Sequence, residues 1–91
     1  MTKTRVSLTE VAYVAPADEL ERQVAEVLAG VLEVDRVGRL DTLYDLGGAS
    51  IDAIRICARI ERDLGHLAEP VWLLDQDELH AFVDRFRAVD G

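Results

Sequence analysis

The sequence predicts an all-α fold, a small four-helix bundle with three main helices, one short helix and a long first loop. Three observations carry this. Apolar residues recur at helical spacing in three separated stretches, and two of those stretches are preceded by an Asp with a Glu three residues later. No segment alternates apolar and polar residues over the length of a strand, and no internal repeat is present. With 91 residues the chain has material for one core and none to spare for a separate substrate-binding domain.

Residues 1–15 mix Thr, Ser and short apolar side chains without sustained periodicity, and are expected to form a flexible N-terminal arm. Pro16 marks a helix entrance, so the folded domain is assigned to residues 16–91. Asp18 and Glu21 form a capping box, and Leu20, Val24, Val27, Leu28 and Val31 follow on one face, predicting a first helix from Asp18 to about Glu33. Gly38, Gly47 and Gly48 break any helix across residues 34–48, where Leu40, Leu43, Tyr44 and Leu46 supply apolar anchors for a long loop.

Ser50 stands where an N-cap belongs, and a second helix is predicted from Ser50 to near Leu64 and Gly65. Its core stripe is Ala53, Ile56, Cys57, Ile60 and Leu64. Val71 to Leu74, after Pro70, fit a single helical turn with Trp72 partly buried. Asp75 and Glu78 read as a second capping box, followed by Leu79, Phe82, Val83 and Phe86 in a last helix ending around Arg87.

Composition narrows the function. Eighteen acidic against ten basic residues give a formal charge of -8, which repels a phosphate backbone and argues against nucleic-acid binding. The longest apolar runs are far too short to span a bilayer, and no stretch of signal-peptide length follows Met1, so a cytoplasmic location and protein partners are expected. Cys57 has no disulfide partner and no companions at metal-ligand spacing, and is assigned to the core, with no metal site. His66 and His80 are not spaced for a catalytic triad and are taken as surface residues. Asp75 to Glu78 lack the ligand rhythm and central glycine of a calcium loop.

The informative stretch is Leu43-Tyr44-Asp45-Leu46-Gly47-Gly48-Ala49-Ser50-Ile51, in which apolar anchors lead through a Gly pair to a serine at a helix start. Gly47 and Gly48 permit a sharp turn and leave room for another protein beside Ser50. The competing explanation is an ordinary serine cap worth about 1 kcal/mol.

This stretch resembles the attachment motif of peptidyl and acyl carrier proteins, where the serine after Leu-Gly-Gly receives 4'-phosphopantetheine; Ser50 is the matching residue. The resemblance extends over about Pro16 to Arg87. It is nearer to the peptidyl carriers of nonribosomal peptide synthesis, with Leu46-Gly47-Gly48, than to fatty-acid carriers, where Asp-Ser-Leu is usual. Ala49 stands where the family commonly has Asp or His, and Asp52 where an apolar residue is frequent. The family often has an aromatic or apolar residue at the place of Tyr44, with a structural role.

The resemblance implies a non-catalytic, monomeric carrier. A separate phosphopantetheinyl transferase would load it from coenzyme A, with magnesium acting in that enzyme. An adenylating or acyl-loading enzyme would charge the thiol, and condensation or tailoring enzymes would use the thioester. Met1 at the start and Gly91 soon after the last helix fit a free-standing unit. The dipole of the second helix favours a phosphodiester on Ser50 by about 0.3 to 1 kcal/mol.

By helical angle Ile51, Ile54 and Ala58 share the side of Ser50, flanked by Arg55 and Arg62, and Ile51, Ile54 and Arg55 are expected to touch partners. The competing explanation for both isoleucines is packing under the loop, against Leu40 or Leu43. Alternative functions are an acyl carrier of a polyketide-type pathway and an unmodified helical adaptor that only recruits enzymes.

Overall fold

The structure, a computed structural model, describes residues 2–90, and of residues 88–90 the backbone alone. Among the described residues four α-helices occur: α1 (Glu19–Leu32), α2 (Ser50–Leu64), α3 (Pro70–Leu74) and α4 (Leu79–Asp90), preceded by a 3-10 turn at Arg5–Ser7. Helix α1 packs against α2 and α4, and α3 packs against α2.

Helix α1 starts as its sequence dictates. The Glu21 N–H donates to Asp18 Oδ1 (2.9 Å), while the Glu21 carboxylate turns back to accept the Ala17 N–H (3.0 Å). Its inner face buries Val24, Val27, Leu28 and Leu32 against Ala53, Ile56, Cys57 and Ile60 of α2 and Leu79, Phe82, Val83 and Phe86 of α4. Phe82 and Phe86 meet edge to face at 5.2 Å, and Trp72, half-buried as expected, meets the Phe82 ring at 6.3 Å. The last helix runs to Asp90 rather than ending at Arg87, because no Gly or Pro interrupts it before Gly91. His66 and His80 are half-buried rather than on the surface: His66 lies against the Phe86 ring, and His80 contacts Glu78 at 2.8 Å.

The expected second capping box does not form. Asp75 closes α3 instead, its N–H donating to the Val71 carbonyl (2.9 Å), and Gln76 turns the chain with a φ of 67°. The first N–H groups of α4 are satisfied from the long loop, Leu79 donating to the Asp41 carbonyl (3.0 Å) and His80 to the Arg39 carbonyl (3.1 Å). The loop thus serves as the cap of the last helix.

The segment expected as a flexible arm is docked. Lys3 forms a parallel bridge with Val34, and the Arg5 guanidinium is buried against the Asp41 carboxylate. Arg39 donates its N–H to the Val14 carbonyl (2.8 Å) and its guanidinium to Glu21 at the start of α1 (3.0 Å). Arg5, a charged residue invisible to periodicity, is the buried one among these fastenings.

Candidate functional site

The loop that leads to Ser50 is a sequence of turns on two buried anchors. Leu43 and Leu46 are both fully buried, holding the loop to the core between α1 and α2. Thr42 and Asp45 exchange side-chain to backbone hydrogen bonds, the Asp45 N–H to Thr42 Oγ1 (3.1 Å) and the Thr42 N–H to Asp45 Oδ2 (3.3 Å). Gly47 donates to the Tyr44 carbonyl (3.0 Å) and Gly48 to the Leu43 carbonyl (2.9 Å), which reverses the chain just ahead of α2.

The two glycines differ in what they are for. Gly47 takes a φ of 75°, a backbone state that a side chain resists, with open space where its Cβ would stand. Gly48 is needed for space: a Cβ there would lie 2.3 Å from Leu43 Cδ1 and 3.1 Å from the Leu43 carbonyl oxygen. The Gly pair therefore packs the loop against its own anchor.

The structure corrects the role of Ser50 as helix cap. Ala49, extended at φ -110° and ψ 171°, is the N-cap, and Ser50 is the first helical residue. Ala49 has no side-chain acceptor to offer. Half of a capping box survives nonetheless, because Asp52 Oδ2 accepts the Ala49 N–H at 2.8 Å. The two departures from the family pattern thus belong together: a cap without a side chain, and a carboxylate three residues on that steadies it.

Freed of the capping role, the Ser50 hydroxyl is exposed at the N-terminal end of α2, where backbone N–H groups and the helix dipole favour an anion. Ile51 and Ile54 are 53% and 55% exposed, Ala58 and Arg55 are also exposed, and packing under the loop against Leu40 or Leu43 is excluded by that exposure. Arg62, the other flanking cation, is engaged by Asp63 at 2.8 Å.

Two further exposed apolar residues were missed by sequence reasoning. Leu67, after α2, and Val71, on α3, are 61% and 51% exposed. For Val71 the signal is the run Val71 to Leu74, four consecutive apolar residues that one short turn cannot bury together. Tyr44 is half-exposed; it anchors the loop by its hydroxyl, which donates to the Leu74 carbonyl at the end of α3 (3.2 Å). The loop before Ser50 is thereby tied to α3.

Among the described residues no group of three His, Cys, Asp or Glu side chains is placed to hold a metal ion, and no helix is long and apolar enough to cross a membrane. Cys57 is buried within the α2 stripe.

A family model described as "phosphopantetheine attachment site" matches residues 22–86, a span that includes Ser50. The chain is 38% identical over 55 residues to surfactin synthase subunit 1 of Bacillus subtilis (strain 168), 60% of this chain but 2% of that protein. It spans only one or two per cent of the length of such curated relatives. Among solved structures, BlmI, a type-II acyl carrier protein from Streptomyces verticillus involved in bleomycin biosynthesis, superposes with a TM-score of 0.71 at 32% identity, over 79% of this chain and 87% of BlmI. A peptidyl carrier protein solved with the phosphopantetheine transferase Sfp and coenzyme A superposes with a TM-score of 0.76 at 28% identity, over 84% of this chain and 99% of that one.

Proposed function

The chain belongs to the phosphopantetheine attachment family of carrier proteins, and on that premise we propose that Ser50 is its attachment residue and that it carries biosynthetic intermediates between partner enzymes. The cofactor of the family is 4'-phosphopantetheine, held covalently, and it supplies a terminal thiol on which an acyl or aminoacyl group rides as a thioester. The residues present fit that group. Ser50 offers an exposed hydroxyl, Gly47 and Gly48 shape the turn before it, and the start of α2 favours the negative phosphodiester.

The single observation that carries the reading is the position of Ser50, exposed at the first helical residue behind a turn fixed by the buried Leu43. The bundle itself supplies no catalysis; it presents the serine. Loading falls to a phosphopantetheinyl transferase, as in the carrier complex with Sfp, and charging to an adenylating or acyl-loading enzyme. Ile51, Ile54 and Arg55 form the face those partners touch, and condensation or tailoring enzymes of a cytosolic natural-product pathway use the same face.

Leu46-Gly47-Gly48 and the likeness to peptide synthases support the peptidyl type. The second reading, an acyl carrier of a polyketide-type pathway, is supported by the likeness to BlmI.

Intact-protein mass spectrometry after incubation with coenzyme A, magnesium and a promiscuous phosphopantetheinyl transferase tests the proposal. The wild type gains one phosphopantetheine and Ser50→Ala gains none. A folded wild type that gains nothing would leave the unmodified adaptor as the function.

A further inference from the structure

From the contacts of the N-terminal segment we propose that Arg5 is a positioning residue for Ser50, acting through Asp41. The inference rests on Ser50 being the loaded residue. The loop buries the Asp41 carboxylate, which is 1% exposed, and offers it only one neutral donor. A carboxylate so deep is tolerated only when paired and hydrogen-bonded. Its partners are the Gly38 N–H (2.8 Å) and the guanidinium of Arg5, which engages both carboxylate oxygens, the Nε contact measuring 2.6 Å.

Arg5 is in turn held from several directions. Its own N–H donates to Asp35 Oδ1 (2.7 Å), and its Nη2 also reaches the Val11 carbonyl (2.9 Å). The Tyr13 ring contacts both the Arg5 and Arg36 guanidiniums, at 5.4 and 3.7 Å from the ring centre. The segment is therefore built to deliver one guanidinium to one carboxylate.

Asp41 stands at the head of the turns that lead to Ser50. Its carbonyl caps α4 at Leu79, its own N–H donates to Gly38, and directly after it come the Thr42–Asp45, Tyr44–Gly47 and Leu43–Gly48 bonds. Without Arg5 the carboxylate retains one neutral donor and must move towards water. Residue 41 then leaves the start of α4, and the turns that fix Gly48 lose their upstream anchor. The loading-competent loop becomes one state among several, and the apparent affinity of the transferase falls by its population.

The test uses the full chain in its apo form. Loading kinetics by the transferase with coenzyme A, and amide hydrogen exchange at Gly47, Gly48 and Ser50, are compared for wild type, Arg5→Ala, Arg5→Lys and Arg5→Ala/Asp41→Asn, at a temperature where far-ultraviolet circular dichroism shows each folded. Arg5→Ala raises KM for the carrier about fivefold with little change in kcat, and speeds exchange at those amides. Arg5→Lys, which keeps the charge and loses the fork, falls between. The double variant, with no carboxylate left to expel, returns towards wild type in both readouts.

A folded Arg5→Ala with unchanged KM and unchanged exchange would overturn the proposal. So would a double variant as impaired as Arg5→Ala, since the buried charge would then not be the cause. If Arg5→Ala does not fold, Arg5→Lys decides by the same two readouts. Failure of the wild type to load refutes Ser50 as attachment residue, while the exchange comparison still decides whether Arg5 governs the loop.

Discussion

Helices α1 and α2 are nearly the same length, 14 and 15 residues, and both bury one apolar face in the same core, yet they treat their first turns and outer faces in opposite ways. Helix α1 opens on Asp18, whose carboxylate satisfies an orphan N–H and is itself paired with Arg87 at 2.6 Å. Its outer face is polar, with Glu19, Arg22 and Glu26 in mutual ion pairs. Helix α2 opens on an alanine, leaves Ser50 exposed, and shows Ile51 and Ile54 to solvent. A helix that serves only the core satisfies its end and hides its apolar groups. Helix α2, on the proposed docking role, keeps its end available and leaves apolar surface uncovered.

The sharpest test of that contrast lies within α2. Ile56 is fully buried and Ile54 is 55% exposed, so Ile56→Asp places a carboxylate in the core and costs more than about 4 kcal/mol, enough to unfold the bundle. Ile54→Asp leaves the far-ultraviolet helical signal unchanged and weakens loading. Equal behaviour of the two would break the division between inner and outer faces.

Next in size is the approach to Ser50. Gly48→Ala forces a Cβ into Leu43 and costs about 1 to 3 kcal/mol by chemical denaturation. Gly47→Ala meets open space, and its cost is confined to the positive φ, about 1 kcal/mol. The opposite order would mean that the turn is governed by backbone conformation and not by packing against its anchor.

The smallest effects compare the two helix starts. Hydrogen bonding from the Glu21 N–H, then from Arg87, holds the Asp18 carboxyl below its ordinary range. A carboxyl lowered by folding stabilises above its unfolded pKa, and that stabilisation is lost as pH falls through the lower folded value. Asp18→Asn keeps an acceptor and removes the charge, so its melting temperature lies below that of the wild type at neutral pH and converges with it in strong acid. At α2, Asp52→Ala removes the bond to the Ala49 N–H and costs about 0.5 to 1 kcal/mol.

The helices were legible because their information is local and repeated. Asp18 with Glu21, and the stripe from Ala53 to Leu64, each state the same conclusion several times within one segment. Ser50 stood out as a candidate for a related reason, being embedded in a contiguous motif. What the sequence concealed are single long-range pairings. Arg5 meets Asp41 across 36 positions and no pattern announces it. The Asp75 to Glu78 stretch satisfied a capping pattern, but carbonyls of the loop reached α4 first. Ser50 passed for a cap because serine is favoured there, whereas the backbone turns helical one residue earlier than that role requires.

Cys57 gives the bundle a property beyond packing. Burial pushes its thiol up to about 11, so at neutral pH it is almost wholly protonated and out of reach. Exchange of acyl groups between sulfurs requires a thiolate as nucleophile. Once loaded at Ser50, as proposed, a bundle whose own sulfur is silenced in this way leaves the tether thiol without a competitor inside the chain.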